Sequence, residues 1–173
     1  MSESDCKRWL KNNNFNVPNG KTVSPHKLGE AASEVGYPVA LKMISPRLLH
    51  KTEAGAVVLD LKDEEELKLA VEKMRIDVTA YDADAASELF LVEAMSPNPV
   101  AELIINLRQD PQFGAALVLG SGGVLVELMA DTATLLLPTS PADIIRALKS
   151  LRVGRLLEGF RGRPAVDLSL IHI

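Results

Sequence analysis

EVGYPVALKMISPRLLHKTEAGAVVLDL, residues 34–61, is the stretch whose reading decides the fold. Gly36 ends a helical pattern, and the apolar run Val39-Ala40-Leu41-Lys42-Met43 that follows predicts a strand. A second run, Ala56 to Leu61, predicts its successor. Between them lies His50-Lys51-Thr52-Glu53-Ala54-Gly55, eight residues beyond the lysine near the strand end. A strand-end ammonium such as Lys42 can grip a phosphate. A histidine beside a lysine on a glycine-containing loop can carry a phosphoryl group, because a neutral imidazole nitrogen is nucleophilic and the ammonium screens incoming negative charge. By spacing alone the signal is weak, since a lone lysine or histidine is more often a solvated side chain.

Working outward, a first helix is predicted from Ser4 to Asn13, with Asn14 as a left-handed stop, and Phe15, Val17 and Pro18 lead away from it. Ser24-Pro25 opens a second helix carrying Leu28, Ala31, Ala32 and Val35 at helical spacing. Asp63, with Glu66 three residues later, opens a third through Leu67, Ala70, Val71 and Met74. From Leu89 the texture turns to strands: Leu89–Val92, Glu102–Leu107, Ala115–Leu119, Val124–Met129 and Ala133–Leu137. Ser140-Pro141 opens a helix with Ile144, Ile145 and Leu148, and a shorter one ends near Gly159. The order predicts an α+β protein with an N-terminal lobe over residues 1–86, a hinge near Tyr81 to Ser87, and a C-terminal sheet lobe over 87–167.

The chain has 173 residues, 47% hydrophobic and 24% charged, enough for one ordinary core or two small lobes sharing a cleft. A net charge of -4 argues against sequence-independent nucleic-acid binding and leaves small anions as the charged partners. Cys6, the single cysteine, cannot form an internal disulfide, and the acidic start is unlike a secretory signal, so the cytoplasm is the expected compartment. Phe113 to Ala130 is apolar, but Gly120, Gly122, Gly123 and Glu127 interrupt it, which predicts two buried strands and a glycine turn rather than a membrane span. Gly120-Ser121-Gly122-Gly123 is either that turn or a phosphate-cradling nest. Glu127 reads as a buried acid, His26 as a surface residue, and Arg155, Arg161 and Arg163 as a solvated basic face.

Five strings in order carry a resemblance: KRWLKNNNFNVP (7–18), the 34–61 stretch, VAELIINLRQDPQFG (100–114), GSGGVLVELMAD (120–131) and LLEGFRGRPAVDL (156–168). Together they resemble the ATP-grasp nucleotide-binding part of NDP-forming acyl-CoA synthetases, the acetate–CoA ligase (ADP-forming) type, over about Lys7 to Asp167. The resemblance implies two α+β lobes with a nucleotide cleft between them, ATP/ADP and Mg²⁺ as cofactors, and a CoA-binding (alpha-type) partner. It also implies conversion of acyl-CoA, phosphate and ADP into acid, CoA and ATP through histidines. By motif, Lys42 would bind nucleotide phosphates and His50 would be the phosphorylatable histidine, with Lys51 and Gly55 supporting the loop's charge and mobility. The backbone of Val92, Glu93 and Ala94, in the family's inter-lobe connection, would hold adenine; Glu102 and Glu127 would stand near Mg²⁺ or ribose.

The chain departs from the family pattern at Ala94 (usually glutamate), Asn14 (glycine) and Ala56 (a second loop glycine), each compatible with binding. Family members also continue past the last motif into segments that supply metal ligands. Residues 168–173 resemble a translated sequencing adapter, so the second lobe is expected to be incomplete, the tail non-native and the isolated chain inactive or nearly so. Two other readings stand beside the ligase: an ATP-grasp regulatory or nucleotide-sensing module of a fused acetyltransferase, and an inactive fragment.

Overall fold

The computed structural model describes residues 2–48, 50–96, 99–123 and 130–168. The chain divides into two compact units, Met1–Pro97 and Asn98–Ile173. In the first, helix α1 (Glu3–Asn12) precedes β1 (Gly20–Val23), a 3-10 turn at Pro25–Lys27, α2 (Leu28–Val35), β2 (Val39–Met43), β3 (Val57–Leu61), α3 (Glu64–Tyr81) and β4 (Phe90–Ala94). The strands form an antiparallel sheet in the order β1-β4-β2-β3.

Strand alternation explains how that sheet is covered. Val39, Leu41 and Met43 of β2 and Phe90 and Val92 of β4 point to one face and are fully buried there against Leu28 and Ala32 of α2 and Leu67, Ala70, Val71, Met74 and Val78 of α3. At about 1.5–3 kcal/mol for each large side chain removed from water, this layer is the main source of the unit's stability. Lys42 and Glu93, one position out of phase with these residues, face the other way. The helices start and stop where local chemistry requires: Ser2 caps α1 in a reciprocal pair with Asp5, the Asp63 carboxylate accepts from Glu66 N at 2.9 Å, and Asn14 (φ 64°) and Gly36 (φ 91°) take the left-handed positions after α1 and α2. Ser24 gives no cap to the turn after it; its hydroxyl lies 3.1 Å from the His26 ring instead.

The second unit carries β5 (Leu103–Asp110), β6 (Gly114–Ser121), β7 (Thr132–Leu136), α4 (Pro141–Ser150) and α5 (Gly154–Leu157), with the antiparallel order β5-β6-β7. Leu117 and Leu119 pack against Ile144, Ala147 and Leu148 of α4 and against Leu151, Val153 and Leu157. Asp131 ties the end of the sheet to the helical segment: its carboxylate accepts from Ser121 Oγ at 2.5 Å, Arg152 N at 3.0 Å and Val153 N at 3.2 Å.

Three expectations change. Leu89–Val92 was expected to open the second lobe, yet β4 is an interior strand of the first sheet, paired on both sides, so the first unit runs to Pro97 and not to 86. The 81–87 stretch is the end of α3 followed by a 3-10 turn at Ala83–Ala85. The third concerns β1, which was not foreseen because Gly-Lys-Thr-Val is short, polar and mostly exposed, and only backbone pairing with β4 makes it a strand. The strand expected at Val124–Met129, with Glu127, lies outside the described residues, as do Ser169–Ile173 of the expected tail; Leu168 packs against the second core.

Two stability outcomes follow from these contacts. Gly55 sits at φ 67°, and a Cβ there would lie 2.7 Å from Asp77 Cβ of α3. Backbone strain and overlap act together, so Gly55→Ala should lower unfolding free energy by about 2 kcal/mol or more in urea titration; an unchanged midpoint would remove the constraint. Burial opposes ionisation of Asp131, but hydrogen bonds from Ser121, Arg152 N and Val153 N hold its carboxyl below the usual range. With the folded pKa below the unfolded value of about 3.9, the contribution is full above that pH and disappears as pH falls through the folded value. Asp131→Ala should therefore cost about 1–2 kcal/mol at pH 7 and progressively less in acid, measured by thermal unfolding against pH.

Candidate functional site

Four elements of the first unit converge on the sheet face away from α2 and α3. Strand β2 contributes Lys42 and β4 contributes Glu93; their registers place Lys42 opposite Leu91 and Ala40 opposite Glu93, so the two are diagonal neighbours. Helix α1 contributes Glu3 and Lys7, which share one helical face at i, i+4 spacing. The loop between β2 and β3 contributes Lys51.

These five side chains form one ionic network. Lys42 Nζ donates to Glu3 Oε1 at 2.7 Å and to Glu93 Oε2 at 2.9 Å. Lys51 Nζ donates to Glu3 Oε2 at 2.5 Å, and Lys7 Nζ to Glu3 Oε1 at 2.9 Å and to Glu93 Oε1. Glu93 is 4% exposed, and a carboxylate that far from water requires charged partners, here Lys7 and Lys42. Burial pushes the Glu3 carboxyl up, but the hydrogen bonds from Lys42, Lys51 and Lys7 override it and hold it well below the usual carboxylate range. Lys42 is the mirror case: burial works against its charge, and Glu3 and Glu93 raise its pKa beyond the ordinary lysine value. Three ammoniums against two carboxylates leave the cluster with one net positive charge.

The histidine loop stands beside this cluster. It is pinned by Ala54 N to His50 O (3.2 Å), Gly55 N to Thr52 O (3.1 Å) and Ala56 N to Lys51 O (2.8 Å), while the buried methyls of Ala54 and Ala56 anchor it to the core. That anchoring leaves His50, Thr52 and Glu53 exposed and Lys51 half-buried. Glu3, Lys42, His50, Lys51, Thr52, Glu53 and Val57 line one open cavity of about 550 Å³. Lys42, Lys51 and His50, expected together on sequence, are thus brought together, with Gly55 at the loop's end.

The other expected residues are placed differently. Leu91–Ala94 is strand and not a connection; Val92 pairs with Lys21 and Leu41, Glu93 with Gly20 and Ala40, and Ala94 N donates to Asn19 O at 2.8 Å. The backbone of Val92 and Glu93 is thus engaged in sheet pairing on both sides, and it is the Glu93 carboxylate that faces Lys42 and Lys7. Glu102 belongs to the second unit, where its carbonyl accepts from Gly122 N at 2.7 Å. A Cβ on Gly122 would lie 2.8 Å from the Glu102 carbonyl carbon and one on Gly123 2.6 Å from its Oε2, which accounts for the glycine pair as a close approach to Glu102. Among the described residues, no three His, Cys, Asp or Glu side chains gather to hold a metal ion. Glu3 and Lys7 went unforeseen: their i, i+4 spacing is an ordinary helix-surface pattern, and pairing across 39 and 86 residues leaves no local trace.

The profile of the family described as an ATP-grasp domain matches residues 1–172. The beta subunit of acetate–CoA ligase (ADP-forming) II from Pyrococcus furiosus is 36% identical over 174 residues, a match covering 99% of this chain and 72% of that protein. The dinucleotide-forming acetyl-coenzyme A synthetase 1 of Candidatus Korarchaeum cryptofilum, solved with coenzyme A, Ca-AMPCP and HgCl+, superposes with a TM-score of 0.90 at 35% identity over 98% of this chain and 74% of that one. A second structure of that synthetase, with coenzyme A and Mg-AMPPCP and its phosphohistidine segment pointing towards the nucleotide binding site, gives 0.78 at 33% over 97% and 72%. With nearly its whole length matched, the chain belongs to the ATP-grasp family and corresponds to the beta-type part of the ADP-forming acetate–CoA ligases.

Proposed function

We propose that Lys42 and Lys51 of this chain seat the phosphates of ATP or ADP and that His50 relays a phosphoryl group, within an ADP-forming acid–CoA ligase. One observation carries the reading: Lys42, Lys51 and His50 line the same open cavity, and the two ammoniums already converge on the two oxygens of a single carboxylate. A group that gathers two lysines around one carboxylate can gather them around a phosphate of similar oxygen spacing.

The chemistry needs little beyond position and charge. A neutral ring nitrogen of His50 attacks the terminal phosphorus of ATP; the N–P bond forms as the bridging P–O bond breaks, and ADP leaves with the bond's electron pair. Lys42 and Lys51 hold the phosphate oxygens while negative charge shifts between them. The phosphoryl group then passes from nitrogen to an acceptor oxygen, and every step is reversible, so the direction follows supply. His50 is exposed on a short loop, which suits a residue that meets reactants in more than one place.

Magnesium accompanies the nucleotide analogue in the Korarchaeum structure. In this chain the carboxylates beside Lys42 are bonded to lysines and do not form a metal cradle among the described residues. Coenzyme A is bound in the same relative, and the Pyrococcus relative is one subunit of its ligase. A CoA-binding, alpha-type partner that receives or delivers the phosphoryl group completes the reaction. Nucleotide and CoA substrates fit a cytoplasmic setting, and no helix among the described residues is long and apolar enough to cross a membrane.

Incubation with terminally labelled ATP and Mg²⁺, followed by acid and base treatment, tests the reading. Completed to the length of its relatives, the wild-type chain should carry acid-labile, base-stable label, and His50→Ala should lose at least ninety per cent of it, roughly the scale expected when a covalent carrier is removed. Equal labelling of the variant would take His50 out of the mechanism.

A further inference from the structure

We propose that the Glu3 carboxylate is a built-in occupant of the phosphate seat, bridging Lys42 and Lys51 until a nucleotide phosphate displaces it. The inference rests on the reading of those two lysines as phosphate ligands and adds a control element to it. Glu3 makes the contacts that a bound phosphate would make, with one oxygen on Lys42 and Lys7 and the other on Lys51. Both cannot sit there, because a second anion beside the carboxylate meets like charge at contact distance.

Two features make Glu3 the displaceable member of the cluster. Its side chain is 24% exposed whereas that of Glu93 is 6% exposed, so Glu3 can regain water on leaving while Glu93 cannot. Helix α1, which carries Glu3, buries no residue, so a shift of its first turn uncovers no core. Departure of Glu3 raises the net charge around Lys42 from one positive to two, counting Lys7, Lys42 and Lys51 against Glu93 alone. That gain matches a di- or polyanion such as a nucleotide phosphate chain better than a monoanion. Because the seat is competent only in the fraction of molecules with Glu3 displaced, the apparent affinity is reduced by that fraction.

The opposite role, in which Glu3 orients the lysines for phosphate, makes the reverse prediction, so a titration separates them. Wild type, Glu3→Asp and Glu3→Gln are titrated by calorimetry with ADP and with inorganic pyrophosphate. Removing the competing charge should tighten both ligands about three- to tenfold in Glu3→Gln, the scale of one partly exposed ion pair, with Glu3→Asp staying near wild type. Unchanged or weaker binding by a Glu3→Gln protein with native circular dichroism overturns the proposal. A spin label on Cys6, the chain's single cysteine and exposed on α1, reads the same event without touching Glu3: its mobility should rise as ADP saturates wild type, and a constant signal also overturns the proposal. Lys42→Met isolates the underlying reading. If it abolishes ADP binding while Glu3→Gln has no effect, the phosphate seat stands and the displacement falls. If ADP binds Lys42→Met as it binds wild type, or binds neither wild type nor Glu3→Gln, the seat itself is wrong and the displacement falls with it.

Discussion

Two-residue alternation along β2 and β4 is the constraint from which the first unit follows. The strands are neighbours in an antiparallel sheet, and each sends its large apolar side chains into the layer made by α2 and α3. Once Val39, Leu41, Met43, Phe90 and Val92 are committed to that side, Lys42 and Glu93 have only the other face to occupy. A slip of one residue in either strand would drive a lysine or a glutamate into the core, so the apolar packing that stabilises the sheet also fixes the charged pair. The position of the candidate site is therefore a by-product of burial and needs no separate positioning device.

Burying Glu93 has a cost that the cluster must offset. An isolated carboxylate at that depth would be several kcal/mol unfavourable, and breaking such a pair from one side typically costs about 3–5 kcal/mol. Two lysines, one from the sheet and one from α1, supply the compensation. The same arrangement explains how α1 can belong to the unit while burying none of its residues: it is held by ion pairs and by the Ser4–Thr22 hydroxyl contact at 2.6 Å instead of by packing. Polar attachment is strong enough to order a helix and weak enough to be exchanged for a ligand's charges, whereas apolar attachment offers a ligand nothing to exchange.

How much was legible follows from the range of each interaction. The strand Val39–Met43, the caps at Asp63 and Ser140 and the left-handed Asn14 depend on residues within one turn or one strand of each other, and each was readable. The proximity of Lys42 to the histidine loop was also accessible, since the loop leaves and re-enters the sheet within fourteen residues, between Met43 and Val57. Strand β1 and the place of β4 were not, because both are settled by long-range backbone pairing that any polar tetrapeptide can join. The resemblance placed Val92–Ala94 in a connection for a related reason: a short run of apolar and acidic residues reads alike as an interior strand or as a linker until its neighbours are known.

Local chemistry in the chain determined the types and ends of most elements, the α+β character, and the pairing of a strand-end ammonium with an imidazole on a glycine-ended loop. Tertiary structure alone decided that Glu3 and Lys7 join Lys42, Lys51 and Glu93, and that the amides of Val92 and Glu93 are used by the sheet. The physical reason is that propensity, capping and alternation act over a few residues, whereas a salt bridge between residues 3 and 42 or 7 and 93 exists only after the sheet has assembled and placed a helix across its open face.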